Sequence, residues 1–264
     1  MGRDHAQQKG YLPGGGAAFN EGLLAVRSVL GRMFLPYAAA LSPEHRPAAD
    51  WFSYELVPSL VLLPGDGNCE GTRTLAAALE LCFLAGRVHD LAAASGRVSG
   101  RAILTGDYLY SQGALQLSRA GYDGWLGDVG RLLCRRSEAM LARSGRSGRT
   151  FVPESEKILG LHKENAEAMA LAAQMATESL DWPDAHKRAY AEFGFYLGIL
   201  QGIVINGYDT GSREYADTLD LCRGSLAVRP ALAEAAESFI LAKFVRYNGS
   251  ESRREDTIHQ TAAK

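Results

Sequence analysis

Two long apolar runs separated by a short polar gap place the strongest constraint on how this chain can fold. The first run, LELCFLAGRVHD from Leu79 to Asp90, has apolar residues on nearly every helical turn and is followed by small residues and Gly96. The second run, GRAILTGDYLYSQGALQLSRAG, starts at Gly100 and carries one acidic residue, Asp107, that we expect to face inward. Two buried helices whose carboxylates point toward one space predict an all-α fold with a central cavity.

The rest of the chain continues the helical pattern and shows no period-two alternation typical of strands. With 264 residues and 47% apolar content, the chain can bury a sizeable core, and we expect one all-α domain over residues 19–248. A loosely ordered N-terminus, 1–18, and a polar tail, 249–264, are predicted on either side. Further helices are predicted at 20–41, 48–63 with an interruption near Pro58, 122–143, the alanine-rich stretch 153–180, 184–206 and 230–247.

Composition excludes several classes of function. The net charge is −2 and the basic residues are mostly scattered, which argues against a nucleic-acid-binding surface. No apolar run approaches the 18 residues that a membrane span needs, and the N-terminus is too polar for a signal peptide. The 4 cysteines lie far apart without a CxxC pair, which favours reduced thiols over disulfides or a zinc site. These features predict a cytoplasmic protein.

Motifs that carry chemistry by themselves are missing from the sequence. It contains no Walker loop, nucleophile elbow, GxGxxG or HExxH pattern. The histidines are dispersed, and a lone histidine on a helix is more often a satisfied polar group than a metal ligand. We therefore interpret His89 and Asp107 as structural polar residues.

Four segments, taken together, resemble the trans-prenyltransferase family, the all-α polyprenyl diphosphate synthases. They occur in the family's order and at similar spacing, and the likeness extends over about residues 70–235. The resemblance implies a single large helical bundle of the isoprenoid synthase type. The segments are AAALELCFLAGRVHD (76–90), LTGDYLYSQGA (104–114), LHKENAEAMALAA (161–173) and FGFYLGILQGIVINGYDTG (193–211).

In that family, Mg²⁺ ions held between two aspartate-rich clusters neutralise the departing diphosphate. This chain keeps little of either cluster: the first reads DLAAA and retains Asp90, and the second reads INGYD and retains Asp209. The resemblance further implies that Arg73 and Lys163 contact diphosphate. Losing one electrostatic partner of a transition state costs roughly 3 kcal/mol, so losing several carboxylates predicts a degenerate member of the family.

A second set of possible metal ligands overlaps the position of the second cluster. Asn206, Thr210 and Glu214 have the i, i+4, i+8 spacing of the magnesium motif of class I terpene synthases, which would place them on one helical face. Gly207 and Gly211 argue against a continuous helix there, so we interpret the match as chance, with a magnesium motif as the alternative.

Three hypotheses about function follow. The chain is a non-catalytic subunit of a heteromeric polyprenyl diphosphate synthase, paired with a catalytic homologue or with itself. Alternatively, it is an active divergent prenyltransferase or class I terpene synthase that uses Mg²⁺ and an allylic prenyl diphosphate. The third hypothesis is a helical protein that binds an apolar ligand without chemistry.

Overall fold

The computed structural model describes residues 15–38, 51–65, 69–94, 100–144, 160, 165–178, 180–205, 208–242 and 244. All regular secondary structure in these ranges is helical, which confirms the predicted all-α fold. None of the described helices is long and apolar enough to cross a membrane. The helices are α1 (Gly15–Ala38), α2 (Trp51–Leu62), α3 (Glu70–Ala94), α4 (Gly100–Arg119), α5 (Leu126–Ser144), α6 (Glu167–Glu178), α7 (Asp184–Ile205), α8 (Arg213–Ser225) and α9 (Pro230–Ala236).

The helix bounds correct the predicted N-terminus. Helix α1 begins at Gly15, so residues 15–18 are helical and do not belong to a loosely ordered segment. The predicted tail, 249–264, lies outside the described residues, as do residues 1–14. A short 3₁₀ turn at Asp123–Trp125 precedes α5, and a π-helical segment at Glu237–Leu241 continues α9.

Helix α3 packs along α4 in the most extensive helix contact of the fold. The backbones approach closely at Gly113 of α4, where an added Cβ would lie 2.5 Å from Cys82 Sγ and 2.8 Å from the Ala78 carbonyl oxygen. Such a distance leaves no room for any side chain at this position. The two apolar runs of the sequence therefore form one closely packed helix pair, as predicted.

Helices α6 and α7 form a second close pair. An added Cβ would lie 2.6 Å from the Met169 carbonyl oxygen at Gly194, and 2.6 Å from the Asn165 carbonyl oxygen at Gly198. The two glycines are four residues apart and lie on one face of α7, so its backbone contacts α6 directly. Ala166, directly before α6, and Ala173 within it provide the complementary small surface.

The predicted interruption of the second helix at Pro58 is wrong, because α2 continues through this residue. The free energy gained by burying the segment 56–63 outweighs the loss of the one backbone hydrogen bond that Pro58 cannot donate. The carbonyl of Leu60 also lacks a helical donor, since residue 64 is a proline. The Tyr190 hydroxyl donates to this carbonyl at 2.5 Å, and thus α7 completes the end of α2.

Helix α8 was not predicted from the sequence. Its N-cap residue Ser212 accepts a hydrogen bond from the Tyr215 backbone N–H at 3.2 Å. Tyr215 and Cys222 are buried on its inner face with a spacing of seven residues. A serine N-cap followed by apolar residues at helical spacing was therefore the available signal.

The four cysteines are free thiols, in agreement with the prediction. Cys69 and Cys134 are exposed, whereas Cys82 and Cys222 are buried. Burial raises the pKa of the Cys82 thiol to about 12, so this group stays protonated at neutral pH.

We predict that Gly198→Ala destabilises the fold by about 1–3 kcal/mol, because the added methyl group would meet the backbone of Asn165 and Ala166, directly before α6. Urea unfolding measures the change. The matched control is Gly224→Ala in α8, where nothing lies within 4 Å of an added Cβ. This control should gain up to about 1 kcal/mol from helix propensity. Equal effects at the two positions would contradict the close packing of α6 and α7.

Candidate functional site

The C-terminal part of α3 is held to the first turns of α4 by His89. Its Nε2 atom lies 3.2 Å from the Ile103 carbonyl oxygen and 3.3 Å from Asp107 Oδ1. The ring occupies the space above Gly106, where an added Cβ would overlap the imidazole. The glycine therefore allows His89 to reach the α4 backbone next to Asp90, the retained residue of the first cluster.

The expectation that Asp107 faces inward is wrong. Its side chain is 60% exposed. Helix α4 buries the residues on the stripe that faces α3, and Asp107 lies beside this stripe. The Asp107 carboxylate therefore pairs with His89 at the edge of the helix pair and does not point into the interior. The buried residues of α4 are Ala102, Thr105, Gly106, Leu109, Gly113 and Leu117.

Arg73 and Asp90 lie at opposite ends of the same helix. Arg73 is in the first turn of α3, and its backbone N–H donates to the Cys69 carbonyl oxygen. Asp90 follows seventeen residues later, which corresponds to about 25 Å along a helix. Diphosphate binding by Arg73 stays a prediction.

Thr210 and Glu214 do not lie on one continuous helix. Helix α7 ends at Ile205, Thr210 lies in a turn, and Glu214 is in the first turn of α8. Gly211 and the N-cap residue Ser212 interrupt the helical structure between Thr210 and Glu214. The turn is stabilised by Asp209, whose Oδ1 accepts a hydrogen bond from the Gly211 backbone N–H at 2.8 Å.

The remaining site predictions are only partly covered by the structure. Lys163 and Asn206 lie outside the described residues, and Asp90 is described only as part of the α3 backbone. Asp209 and Glu214 are exposed, and Thr210 is buried. Within the residues that the structure describes, no group of three or more histidine, cysteine, aspartate or glutamate side chains could hold a metal ion. Magnesium binding at Asp90, Asp209 and their neighbours stays a prediction.

Several charged residues that the sequence analysis did not single out occupy structural positions between helices. Arg135 of α5 pairs with Glu167 of α6 at 3.0 Å. The guanidinium of Arg136 is buried against Gly86 of α3. Glu80 is fully buried on α3. In the sequence, Glu80 stands out as the only charge within the run LAAALELCFLAG, and this was the signal available for it.

The arrangement of the helices can be compared with solved structures. A decaprenyl diphosphate synthase from Rhodobacter capsulatus superposes with a TM-score of 0.60 at 18% identity, over 76% of this chain and 66% of that chain. The geranylgeranyl pyrophosphate synthetase of the archaeon Geoglobus acetivorans gives a TM-score of 0.60 at 15% identity, over 85% of this chain and 97% of that chain. This chain has the all-α fold of the prenyl diphosphate synthases.

The same fold occurs in a protein described as a small subunit. The geranyl diphosphate synthase small subunit from Antirrhinum majus has a TM-score of 0.57 and 17% identity, over 82% of this chain and 94% of that chain. No protein-family model matches the sequence, and a search of curated proteins finds no significant match. At these identities, the comparisons establish the fold of this chain.

We predict that Gly106→Ala destabilises the fold by about 1–3 kcal/mol, because the methyl group must displace the imidazole of His89. The same substitution in a His89→Ala background should cost little, since no ring occupies the space. Thermal or urea unfolding of the two single variants and the double variant gives the coupling between the positions. Additive effects would show that Gly106 and His89 do not constrain each other.

Proposed function

We propose that this chain is a non-catalytic subunit of a heteromeric prenyl diphosphate synthase and binds a homologous chain that carries both aspartate clusters. The observation that carries the proposal is the outer face of α4. Leu104 is 69% exposed and Leu115 is 41% exposed on this helix, whose opposite side packs on α3. Both leucines lie on the side of α4 turned away from α3, where a partner chain would cover them.

Four exposed or partly exposed residues of α4 share one side of the helix with the exposed Asp107. Leu104, Tyr108, Ser111 and Leu115 follow at i, i+4, i+7 and i+11, which is the spacing of one helical face. We call these four residues the α4 strip. Buried Leu109 and Gly113 lie on the other side, against α3. A second helix laid along the α4 strip would remove both leucines from water, with a gain of about 1.5–3 kcal/mol for each leucine that becomes fully buried.

The residues at the two cluster positions support a non-catalytic role. Alanine or leucine occupies the positions after Asp90 where the family pattern has further aspartates. A carboxylate pair needs a spacing of three or four residues to act from one helical face, and DLAAA provides no second carboxylate. In an assembly, the partner chain would supply the carboxylates that hold Mg²⁺.

The solved structures with this fold include precedents for such an assembly. One is the Antirrhinum majus small subunit, and another is a heterotetrameric geranyl pyrophosphate synthase from mint, with a TM-score of 0.54 and 17% identity. By analogy of fold, we expect the partner of this chain to be a prenyl diphosphate synthase. This analogy supports the choice of partner, and the α4 strip is the surface that we assign to it.

We predict that co-expression with a homologous synthase from the same organism, one that carries both aspartate clusters, yields a stable complex. A Leu104→Asp, Leu115→Asp variant should weaken this complex at least tenfold in sedimentation velocity experiments, because two desolvated leucines are replaced by charges. The matched control is Leu221→Asp on α8, an equally exposed leucine outside the α4 strip, which should leave the affinity unchanged.

The isolated chain should form no product from farnesyl diphosphate and isopentenyl diphosphate with Mg²⁺. Turnover by the isolated chain would overturn the proposal in favour of an active divergent enzyme. Binding of farnesyl diphosphate without turnover, together with no affinity for the synthase, would favour a ligand-binding protein. Self-association through the α4 strip in place of synthase binding would also overturn it.

A further inference from the structure

Glu80 is an ionisable residue in the middle of the most buried part of α3. Every residue from 75 to 82 is buried, and Glu80 itself is only 2% exposed. Ala78 and Cys82 face α4 at Gly113. Because Glu80 is two residues from each of them, and two residues turn a helix by about 200°, its side chain points away from α4 into the bundle.

The burial of the Glu80 carboxyl group is only partly compensated. Its Oε2 atom makes no hydrogen bond within the described part of the chain. A buried carboxylate without a paired charge or hydrogen-bond donors costs several kcal/mol, whereas the protonated acid costs far less. The neutral form is therefore the one that the surroundings favour.

Several charged groups on the helices packed against α3 make other contacts, and the buried guanidinium of Arg136 on α5 lies against α3 at Gly86, six residues after Glu80. Within α3, Arg73 and Arg87 lie seven residues before and after Glu80 and share its face, and Arg87 is near enough for its charge to act on the carboxyl. This attraction is weaker than the effect of burial, and the pKa of Glu80 lies well above 4.5. The other pairs are Arg27 with Glu55 between α1 and α2, Arg135 with Glu167 between α5 and α6, and His89 with Asp107 between α3 and α4.

We propose that Glu80 makes the packing of α3 into the bundle depend on pH, so that the fold is tightest with this carboxyl protonated and loosens when the proton leaves. The sign follows from proton linkage. An unfolded chain ionises Glu80 near pH 4.5, whereas the folded chain keeps the proton to higher pH. Stability is thus fully retained below about pH 4.5, falls as the pH rises toward the folded pKa, and levels off above it.

Looser packing of α3 would also affect the residues that this helix positions. The same helix holds His89 against α4 and carries Asp90 near its C-terminal end. It also supports α4, whose outer strip we assign to the partner. A rise in pH would therefore weaken the support of both the retained cluster residue and the α4 strip, although the test below concerns this chain alone and does not rest on the partner.

The test compares urea unfolding of the wild type, Glu80→Gln and Glu80→Met from about pH 5 to about pH 9. Relative to either variant, the folding equilibrium constant of the wild type should fall by up to tenfold per pH unit below the folded pKa, because one proton is lost on unfolding. The matched control, Glu234→Gln, removes an exposed glutamate of α9 and should follow the wild-type profile. A difference between wild type and variants that does not change with pH would overturn the proposal.

A direct measurement covers the case in which neither variant folds. The wild-type chain labelled with ¹³C at glutamate Cδ should show one resonance that titrates well above the group near pH 4.5. The proposal would be supported if this resonance were missing from the spectrum of the Glu80→Gln variant, or if it were assigned to Glu80 in the wild type. Titration of every glutamate Cδ in the ordinary range would overturn it.

Discussion

The close approach of α3 and α4 is the contact on which the rest of the structure depends. At Gly113, the α4 backbone touches α3 directly, and at Gly106 it leaves room for the imidazole of His89. This contact fixes which side of each helix is buried. One side of α3 faces α4, so Glu80 must face the bundle, and one side of α4 faces α3, so Leu104 and Leu115 must face outward. A polar residue in the core and an apolar strip on the surface are thus two results of one glycine-mediated contact.

The polar groups of the fold differ in how their burial is compensated. Ion pairs such as Arg135 with Glu167 and Arg223 with Glu237 join different helices and remain partly open to water, so their net contributions are modest. Arg223 lowers the pKa of the Glu237 carboxyl mainly through their hydrogen bond. The burial of Glu80 is only partly compensated, and its carboxyl is neutralised by a proton.

Helical periodicity was sufficient to predict the fold class and the positions of most helices, because burial and the 3.6-residue repeat act within one segment. The positions of the side chains relative to one another could not be predicted in the same way, since they depend on how each helix is rotated about its axis. Asp107 lies beside the buried stripe by only a fraction of a turn. Likewise, the spacing of Asn206, Thr210 and Glu214 would place them on one face only if the helix were continuous, and the turn at Asp209 interrupts it.

The hydrogen bond from Tyr190 to Leu60 spans 130 residues of sequence and supplies the donor that Pro64 cannot provide. Its consequence concerns the order of folding during synthesis. Until the ribosome has released α7, the end of α2 has a carbonyl that can be satisfied only by water, and so this end cannot be buried without cost. The carbonyl at the end of α2 therefore gains its protein donor only once α7 is present.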